Sequence, residues 1–275
     1  PDESTLDIPA QLLAQAEAGW VREDFQMSWL EPQRDSFDWR FHDIAIEQLA
    51  ARGINIIGVV GGPTPEWAAA GNPGGTFYPP DPQLFAQFAS TVVARYKDRI
   101  HHWEIWNEPD NQSYWRPGPD PVAYTRLLKA ASAAIRAADP GAKILVAGIV
   151  SPEPAVSFLS TIAANDGWNA FDIISVHPYT DPKGPEEGQI GTAGIGQVKA
   201  LADRLGSKPI WSTEFGWSTD IGGRGGVAFD EETQANFLVR GSVLLRAAGS
   251  DRVIWYNLKD TDSPERYGLL RRGGG

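Results

Sequence analysis

The stretch HWEIWNEP, residues 102–109, sets the pattern from which the fold follows. Three of its first six residues, Trp103, Ile105 and Trp106, are large and apolar, which is typical of a buried strand, and Pro109 ends that strand. Asn107 and Glu108 therefore lie at its carboxyl end. In a sheet of parallel strands, this is the end at which binding and catalytic groups collect.

The rest of the chain repeats this strand character at intervals, and helical stretches separate every pair of strands. Regular alternation of this kind predicts a parallel sheet. The dipeptides Asp81-Pro82 and Asp120-Pro121 each predict a helix start, with a side-chain acceptor at the N-cap and proline at the first helical position. The predicted strands are residues 21–27, 54–60, 102–107, 143–150, 172–177, 209–215 and 252–258.

Two closures of such a sheet compete, an open doubly wound sheet and an eight-stranded (β/α)8 TIM barrel. An open sheet should carry a glycine-rich phosphate turn after its first strand. The glycine-rich pieces 191–196 and 222–226 are not placed in that way, and we interpret both as flexible loops. A single barrel domain over residues 1–275 is therefore expected. Only seven strands are found, so strand 1 and helix 8 are expected to be absent from this sequence; either the chain is trimmed or the barrel closes unusually.

Composition excludes several classes of function. The 24 Lys and Arg against 35 Asp and Glu give a net charge of −11 without a basic cluster, which argues against nucleic acid as a partner. No apolar run is long enough to span a membrane. The chain has no cysteine, and its 4 histidines show no metal-binding spacing, so we expect neither a metal nor another cofactor. Oligomeric state is left open.

A second carboxylate stands in the same kind of position as Glu108. Residues 211–218 read WSTEFGWS, which places Glu214 at the end of another predicted strand. The two glutamates are 106 residues apart in sequence, roughly three β/α units, so in a barrel they would face each other across its mouth. Glycoside hydrolysis needs two such carboxyl groups. The alternative is that both are acids on the surface of the rim.

These strings resemble those of the clan A glycoside hydrolases. Within the clan, residues 103–109 and the tryptophan after the second glutamate look most like family 39 and related bacterial endoglycosidases. The resemblance implies that Glu108 is the acid/base and Glu214 the nucleophile of a retaining mechanism. It implies that Asn107 binds the 2-hydroxyl of the sugar.

The resemblance extends to groups around the nucleophile. His177 and Tyr179 match a His/Tyr pair beside it, although a buried structural histidine is the alternative. Arg22 matches an arginine that keeps the nucleophile ionised, since a nearby cation lowers the pKa of a carboxyl group. A local ion pair with Glu23 or Asp24 is the other interpretation.

Tryptophans form the last group of candidate site residues. The resemblance implies that Trp255 floors the subsite of the reacting sugar, with a non-proline cis peptide between residues 255 and 256. Three further tryptophans follow strand ends and are candidates for stacking on sugar through their flat rings, with packing in the protein interior as the alternative: Trp29, Trp115 and Trp217.

The sequence therefore predicts a retaining β-glycoside hydrolase that cleaves a β-linked polysaccharide or oligosaccharide without a cofactor and attacks within the chain. Two alternatives stay open. One is a carbohydrate-binding barrel without activity, and the other is an exo-acting β-xylosidase or β-glucosidase. Secretion is expected only because a polymeric substrate lies outside the cell.

Overall fold

The computed structural model of the protein describes residues 3–150, 152–260 and 264–271. Its strands are β1 (Trp20–Gln26), β2 (Asn55–Gly61), β3 (His102–Asn107), β4 (Lys143–Gly148), β5 (Ile174–Val176), β6 (Ile210–Ser212) and β7 (Ser250–Val253). Its helices are α1 (Glu3–Gln15), α2 (Met27–Leu30), α3 (Arg40–Ala50), α4 (Pro82–Tyr96), α5 (Pro121–Ala138), α6 (Pro152–Ala164), α7 (Gln197–Leu205) and α8 (Glu231–Ala247).

All seven predicted strands are present, and helices separate them as expected. The chain divides into two compact units. The first comprises Pro1–Ala147 with Ala164–Asp172, and the second comprises Gly148–Ala163 with Ile173–Gly275. A single domain over the whole sequence stays a prediction. Within the part of the chain that the structure describes, no helix has the length and apolarity needed to cross a membrane.

The first unit is built on a parallel sheet in the order β1-β2-β3-β4. Helices α4 and α5 bury apolar faces, and both begin as the sequence predicts. Asp81 accepts hydrogen bonds from two backbone amides at the start of α4, and Asp120 accepts one from Ala123. These caps satisfy amides that have no partner inside the helix.

A buried tyrosine fixes the end of β3 against β4. The hydroxyl of Tyr124, on α5, donates to the carbonyl of Ile105 at 2.8 Å and accepts from the amide of Ala147 at 2.8 Å. Burial raises the pKa of this hydroxyl, so it stays a neutral donor. The backbone just before Glu108 is therefore anchored on both its helix and its sheet side.

The second unit contains a parallel sheet in the order β5-β6-β7. Its strands are shorter than predicted, because the regular ladder ends before the residues of the candidate site. Isolated backbone hydrogen bonds continue beyond the ladder. The amide of Thr213 donates to the carbonyl of Val176 at 3.1 Å, and that of Ile254 donates to the carbonyl of Ser212 at 2.8 Å. The sequence predicted strand up to Phe215, but the backbone there has already left the ladder.

For one of the two glycine-rich segments, the prediction of a flexible loop is wrong. Residues Ile190–Gly196 form a π-helical turn that runs into α7. Ile190 and Ile195 are fully buried in it. Their burial supplies the packing energy that glycine itself cannot supply, so the segment is ordered despite its composition.

Candidate active site

The carboxyl end of β3 breaks the alternation of a regular strand. In a regular strand, Asn107 would point away from the face that carries Glu104. Trp106 instead has a left-handed backbone, with φ of +73°. Its indole packs on Phe85 and Trp115. The irregular turn brings Asn107 to the same side as Glu104, and left-handed non-glycine residues of this kind cluster at functional sites.

Arg22 links the two side chains on that side. Its Nη2 atom donates to Oε1 of Glu104 at 2.7 Å and to Oδ1 of Asn107 at 2.7 Å. The side chain of Glu104 is fully buried, and that of Arg22 is nearly so. The described ion pair of Arg22 thus runs to a strand two positions away in the sheet, a partner that the sequence did not identify, rather than to Glu23 or Asp24. It fixes the orientation of Asn107.

Glu108, the predicted acid/base, is buried, with 2% of its surface exposed. It also has a left-handed backbone, with φ of +45°. The amide Nδ2 of Asn111 donates to its Oε2 atom at 3.1 Å. Sequence reasoning did not assign Asn111 to the site. The feature that could have indicated Asn111 is its place three residues after Glu108, in the turn that follows Pro109.

Glu214, the predicted nucleophile, lies in the second unit, and so do His177 and Tyr179. It follows β6 and is 9% exposed. The hydroxyl of Tyr179 donates to its Oε2 atom at 3.0 Å, and Nδ1 of His177 lies 3.6 Å from the same atom. The predicted His/Tyr pair therefore lies beside the predicted nucleophile. The carboxylate thus accepts a hydrogen bond from Tyr179 and has the imidazole of His177 as a polar neighbour.

His177 is held by groups that the sequence did not single out. Its Nε2 atom lies 3.1 Å from the hydroxyl of Thr213, which in turn lies 2.5 Å from the hydroxyl of Ser175. All three side chains are fully buried. The imidazole therefore has a fixed position between Thr213 and Glu214.

Space around this imidazole depends on a glycine. A methyl group added at Gly148 would lie 2.0 Å from Nε2 of His177, far inside van der Waals contact. Gly148→Ala should therefore displace the imidazole and the carboxylate beside it. We expect kcat to fall about 100-fold, the cost of misplacing a reacting group by about 1 Å. Gly196→Ala is the control, because a methyl group there meets only an ordinary contact at 3.8 Å. Equal kcat in both variants would contradict this role of Gly148.

A second acid lies close to Tyr179. Asp181 accepts a hydrogen bond from the hydroxyl of Tyr267 at 2.9 Å. Burial raises the pKa of Asp181 to about 6, although the bond from Tyr267 and the charge of Arg224 oppose that shift. Burial likewise raises the pKa of the Tyr267 hydroxyl, which keeps it a donor. This pair could not be predicted from local sequence patterns, since its members are 86 residues apart.

The raised pKa of Asp181 has a measurable consequence for stability. The folded state binds this proton more tightly than the unfolded chain, in which the pKa is near 3.8. The stabilisation is complete below about pH 4 and is lost as the pH rises through about 6. Asp181→Asn keeps the acceptor for Tyr267 and has no charge to bury. We expect its free energy of unfolding, measured by urea titration, to fall less than that of the original protein between these pH values. The exposed control Asp203→Asn should track the original protein, and so should Asp181→Asn if Asp181 is not responsible.

The predicted tryptophans divide into two groups. Trp255 is half-buried and donates its indole hydrogen to the carbonyl of Tyr267 at 2.8 Å. Trp29, on α2, is 71% exposed and can meet a ligand. Trp115 and Trp217 are buried, with 2% and 0% of their surface exposed, so the expectation that they stack on sugar is wrong. Trp115 packs on the aromatic rings of the first unit, and Trp217 donates to the carbonyl of Lys183.

The backbone after Trp255 gives one further correction. The non-proline cis peptide lies between Tyr256 and Asn257, one bond later than expected. The amide of Tyr256 donates to the carbonyl of Phe215 at 2.9 Å, which ties this segment to the residue after Glu214. Beside Tyr179 the second unit also contains a cavity of about 260 Å³, lined in part by Thr180, Asp181 and Lys183.

Comparison with solved structures identifies the fold. A family 39 glycoside hydrolase from the gut symbiont Bacteroides cellulosilyticus superposes with a TM-score of 0.81 at 21% identity, covering 100% of this chain and 59% of its own. A monomeric β-xylosidase from Caulobacter crescentus gives 0.73 at 16% identity, covering 100% and 62%. Fungal β-1,4-galactanases give 0.67 at 15% identity, covering 96% and 87%. At such identities the likeness shows the fold alone, and that fold is the (β/α)8 barrel.

A scan against protein families matches residues 19–221 to "Glycosyl hydrolases family 39". The chain belongs to this family. A search of curated proteins found no match. The chain spans about 60% of the length of the first two solved relatives.

Proposed function

We propose that this chain is a retaining β-glycoside hydrolase that acts by double displacement, with Glu214 as nucleophile and Glu108 as acid/base. The observation that carries the proposal is the environment of Glu214. Its carboxylate accepts a hydrogen bond from the Tyr179 hydroxyl at 3.0 Å and lies beside the buried imidazole of His177. A carboxylate that is oriented in this way yet partly exposed suits attack on an anomeric carbon.

The proposed first step forms a glycosyl-enzyme ester. One carboxylate oxygen of Glu214 bonds to the anomeric carbon while the bond from that carbon to the leaving oxygen breaks. Glu108 gives its proton to that oxygen, so the departing sugar leaves as a neutral alcohol.

The second step returns both glutamates to their starting forms. Ionised Glu108 takes a proton from water, and the water oxygen bonds to the anomeric carbon as the ester bond to Glu214 breaks. Two displacements at one carbon retain its configuration. The Tyr179 hydroxyl bonds the Glu214 carboxylate before attack and after its release.

Recognition of the sugar 2-hydroxyl is assigned to Asn107. Because its Oδ1 atom accepts from Arg22 at 2.7 Å, the amide Nδ2 is the atom that can donate to a ligand. Glu104 holds Arg22 from the other side, so the amide cannot rotate without losing a buried bond. A hydrogen bond to the 2-hydroxyl strengthens in the transition state of glycosidases.

Endo action on a β-linked polymer is the mode that we propose. Two segments after strand ends support it, residues 62–81 after β2 and 108–120 after β3, since both are longer than most connections. Trp29 offers a further exposed aromatic surface. Exo action is the second candidate, because the solved relatives include a β-xylosidase and an exo-β-1,4-mannosidase. Secretion stays a prediction that rests on a polymeric substrate.

The test is a panel of β-linked polysaccharides and aryl β-glycosides, incubated with the purified chain. Product lengths distinguish endo from exo cleavage, and proton NMR of the first product gives its anomeric configuration. We expect cleavage with retention, and none in the double variant Glu108→Gln/Glu214→Gln. Ligand binding without cleavage by a folded chain would favour the non-catalytic alternative, and an inverted product would exclude double displacement.

A further inference from the structure

A glycine-rich segment of the second unit carries an arginine to the face of Tyr179. Residues 222–226 read GGRGG, and the guanidinium carbon of Arg224 lies 4.2 Å from the centre of the Tyr179 ring. That distance is well within the range of a cation–π interaction. Arg224 is half-buried and follows Glu214 by ten residues.

The segment is built to hold this arginine in place. The backbone amide of Arg224 donates to the hydroxyl of Tyr267 at 2.9 Å, and Tyr267 donates to Asp181 at 2.9 Å. A methyl group at Gly223 would lie 2.2 Å from Cβ of Ser218. Gly225 has φ of +75°, and a methyl group there would lie 2.4 Å from Cδ of Pro182. The glycines therefore permit close approach of the backbone to its neighbours. The segment is packed, so the prediction of a flexible loop is wrong here.

We infer that Arg224 is a positioning residue for the nucleophile and acts on Glu214 through Tyr179. The inference rests on the proposed role of Glu214. A cation over the face of a phenol draws electron density from the ring, which makes its hydroxyl a stronger hydrogen-bond donor. The same contact restricts rotation of the ring, so the hydroxyl stays directed at Oε2 of Glu214, 3.0 Å away.

Other charged and polar groups surround this pair and define what a variant must be compared with. His177 lies beside Tyr179 on the chain from β5, with ring centres 6.5 Å apart. Tyr267 packs edge-on against Tyr179 at 6.0 Å. Asp181 interacts electrostatically with Arg224 and with Glu265. Removing Arg224 leaves Asp181 with its bond from Tyr267, so the network keeps its other members.

The test is a double-mutant cycle of Arg224→Met and Tyr179→Phe, measured on the substrate found in the panel. We expect Arg224→Met to lower kcat about fivefold with KM unchanged, the size of a partly exposed cation–π contact. In the Tyr179→Phe background, the same substitution should cause no further loss. Arg224→Lys should recover part of kcat. The matched control is Arg252→Met, since Arg252 lies 5.6 Å from the ring of Trp211.

Two results of the cycle would overturn the inference. An equal loss in both backgrounds would show that Arg224 acts without Tyr179, and an unchanged kcat in Arg224→Met would show that it does not act. The pH profile of kcat/KM is the further readout. Its acidic limb should move to higher pH in Arg224→Met, because the weaker donor stabilises the ionised carboxylate less; an unmoved limb counts against the inference.

A measurement without turnover separates this inference from the proposed function. The ¹³Cζ resonance of labelled Tyr179, assigned by its loss in Tyr179→Phe, reports on the hydroxyl. It should shift in Arg224→Met and stay in place in Arg252→Met. If it does not shift, the inference fails even in an active enzyme. If no glycoside is cleaved, the proposed function fails while this resonance still tests the contact.

Discussion

Glu214→Gln is expected to lower kcat at least about 10⁴-fold, because an amide oxygen is too weak a nucleophile to form the glycosyl ester. The substitution is nearly isosteric, and the new carbonyl can still accept the hydroxyl of Tyr179, which bonds Glu214 at 3.0 Å. Binding should therefore persist. Turnover and ligand affinity, measured on the same preparation, separate these effects.

The control for this variant is Glu187→Gln, which removes an exposed carboxylate from the same unit. Its kcat should equal that of the original chain. A kcat of Glu214→Gln within tenfold of the control would exclude Glu214 as the nucleophile, regardless of the role of Glu108.

Glu108→Ala has the second largest expected effect, and its size should depend on the leaving group. A sugar alcohol needs the proton from Glu108, so its release should slow about 10²- to 10⁴-fold. A nitrophenolate leaves without a proton, so formation of the glycosyl-enzyme should slow far less. The burial of Glu108, with 2% of its surface exposed, leaves a space that a small anion can enter.

Azide tests that space directly. In Glu108→Ala, azide should attack the glycosyl-enzyme without base assistance, restoring turnover of the nitrophenyl glycoside and giving a β-glycosyl azide. The surface control Glu47→Ala should gain nothing from azide. Equal losses on nitrophenyl and sugar leaving groups, with no azide product, would remove Glu108 from the acid/base role.

Much of the fold follows from local patterns. The strand at HWEIWN has the predicted bounds, and the aspartates before Pro82 and Pro121 cap helices as expected. Such features depend on residues that are near one another in sequence. The strands of the second unit are shorter than predicted because the chain leaves the ladder to present His177 and Glu214. Apolar composition cannot distinguish a strand from an irregular buried segment that follows it.

Parts of the site could not be predicted, because they depend on distant partners. Glu104 pairs with Arg22 across 82 positions, and Tyr267 bonds Asp181 across 86. The left-handed backbone at Trp106 brings Asn107 to Arg22, yet a tryptophan gives no signal of such a conformation. Trp217 follows a strand end like a sugar-binding residue, but its ring fills the core. Position along a strand predicts which end a side chain occupies and does not predict whether it is accessible.

Double displacement requires a covalent bond between Glu214 and the sugar, and this bond can be trapped. The purified chain is incubated with a 2-deoxy-2-fluoro aryl glycoside of the sugar identified in the panel, which slows the second step more than the first. Mass spectrometry of the intact protein and of its peptides then locates the label. We expect one sugar per chain, on the peptide that contains Glu214, and none in Glu214→Gln. A label on another residue, or turnover of the unsubstituted glycoside with inversion and no trapped ester, would contradict it.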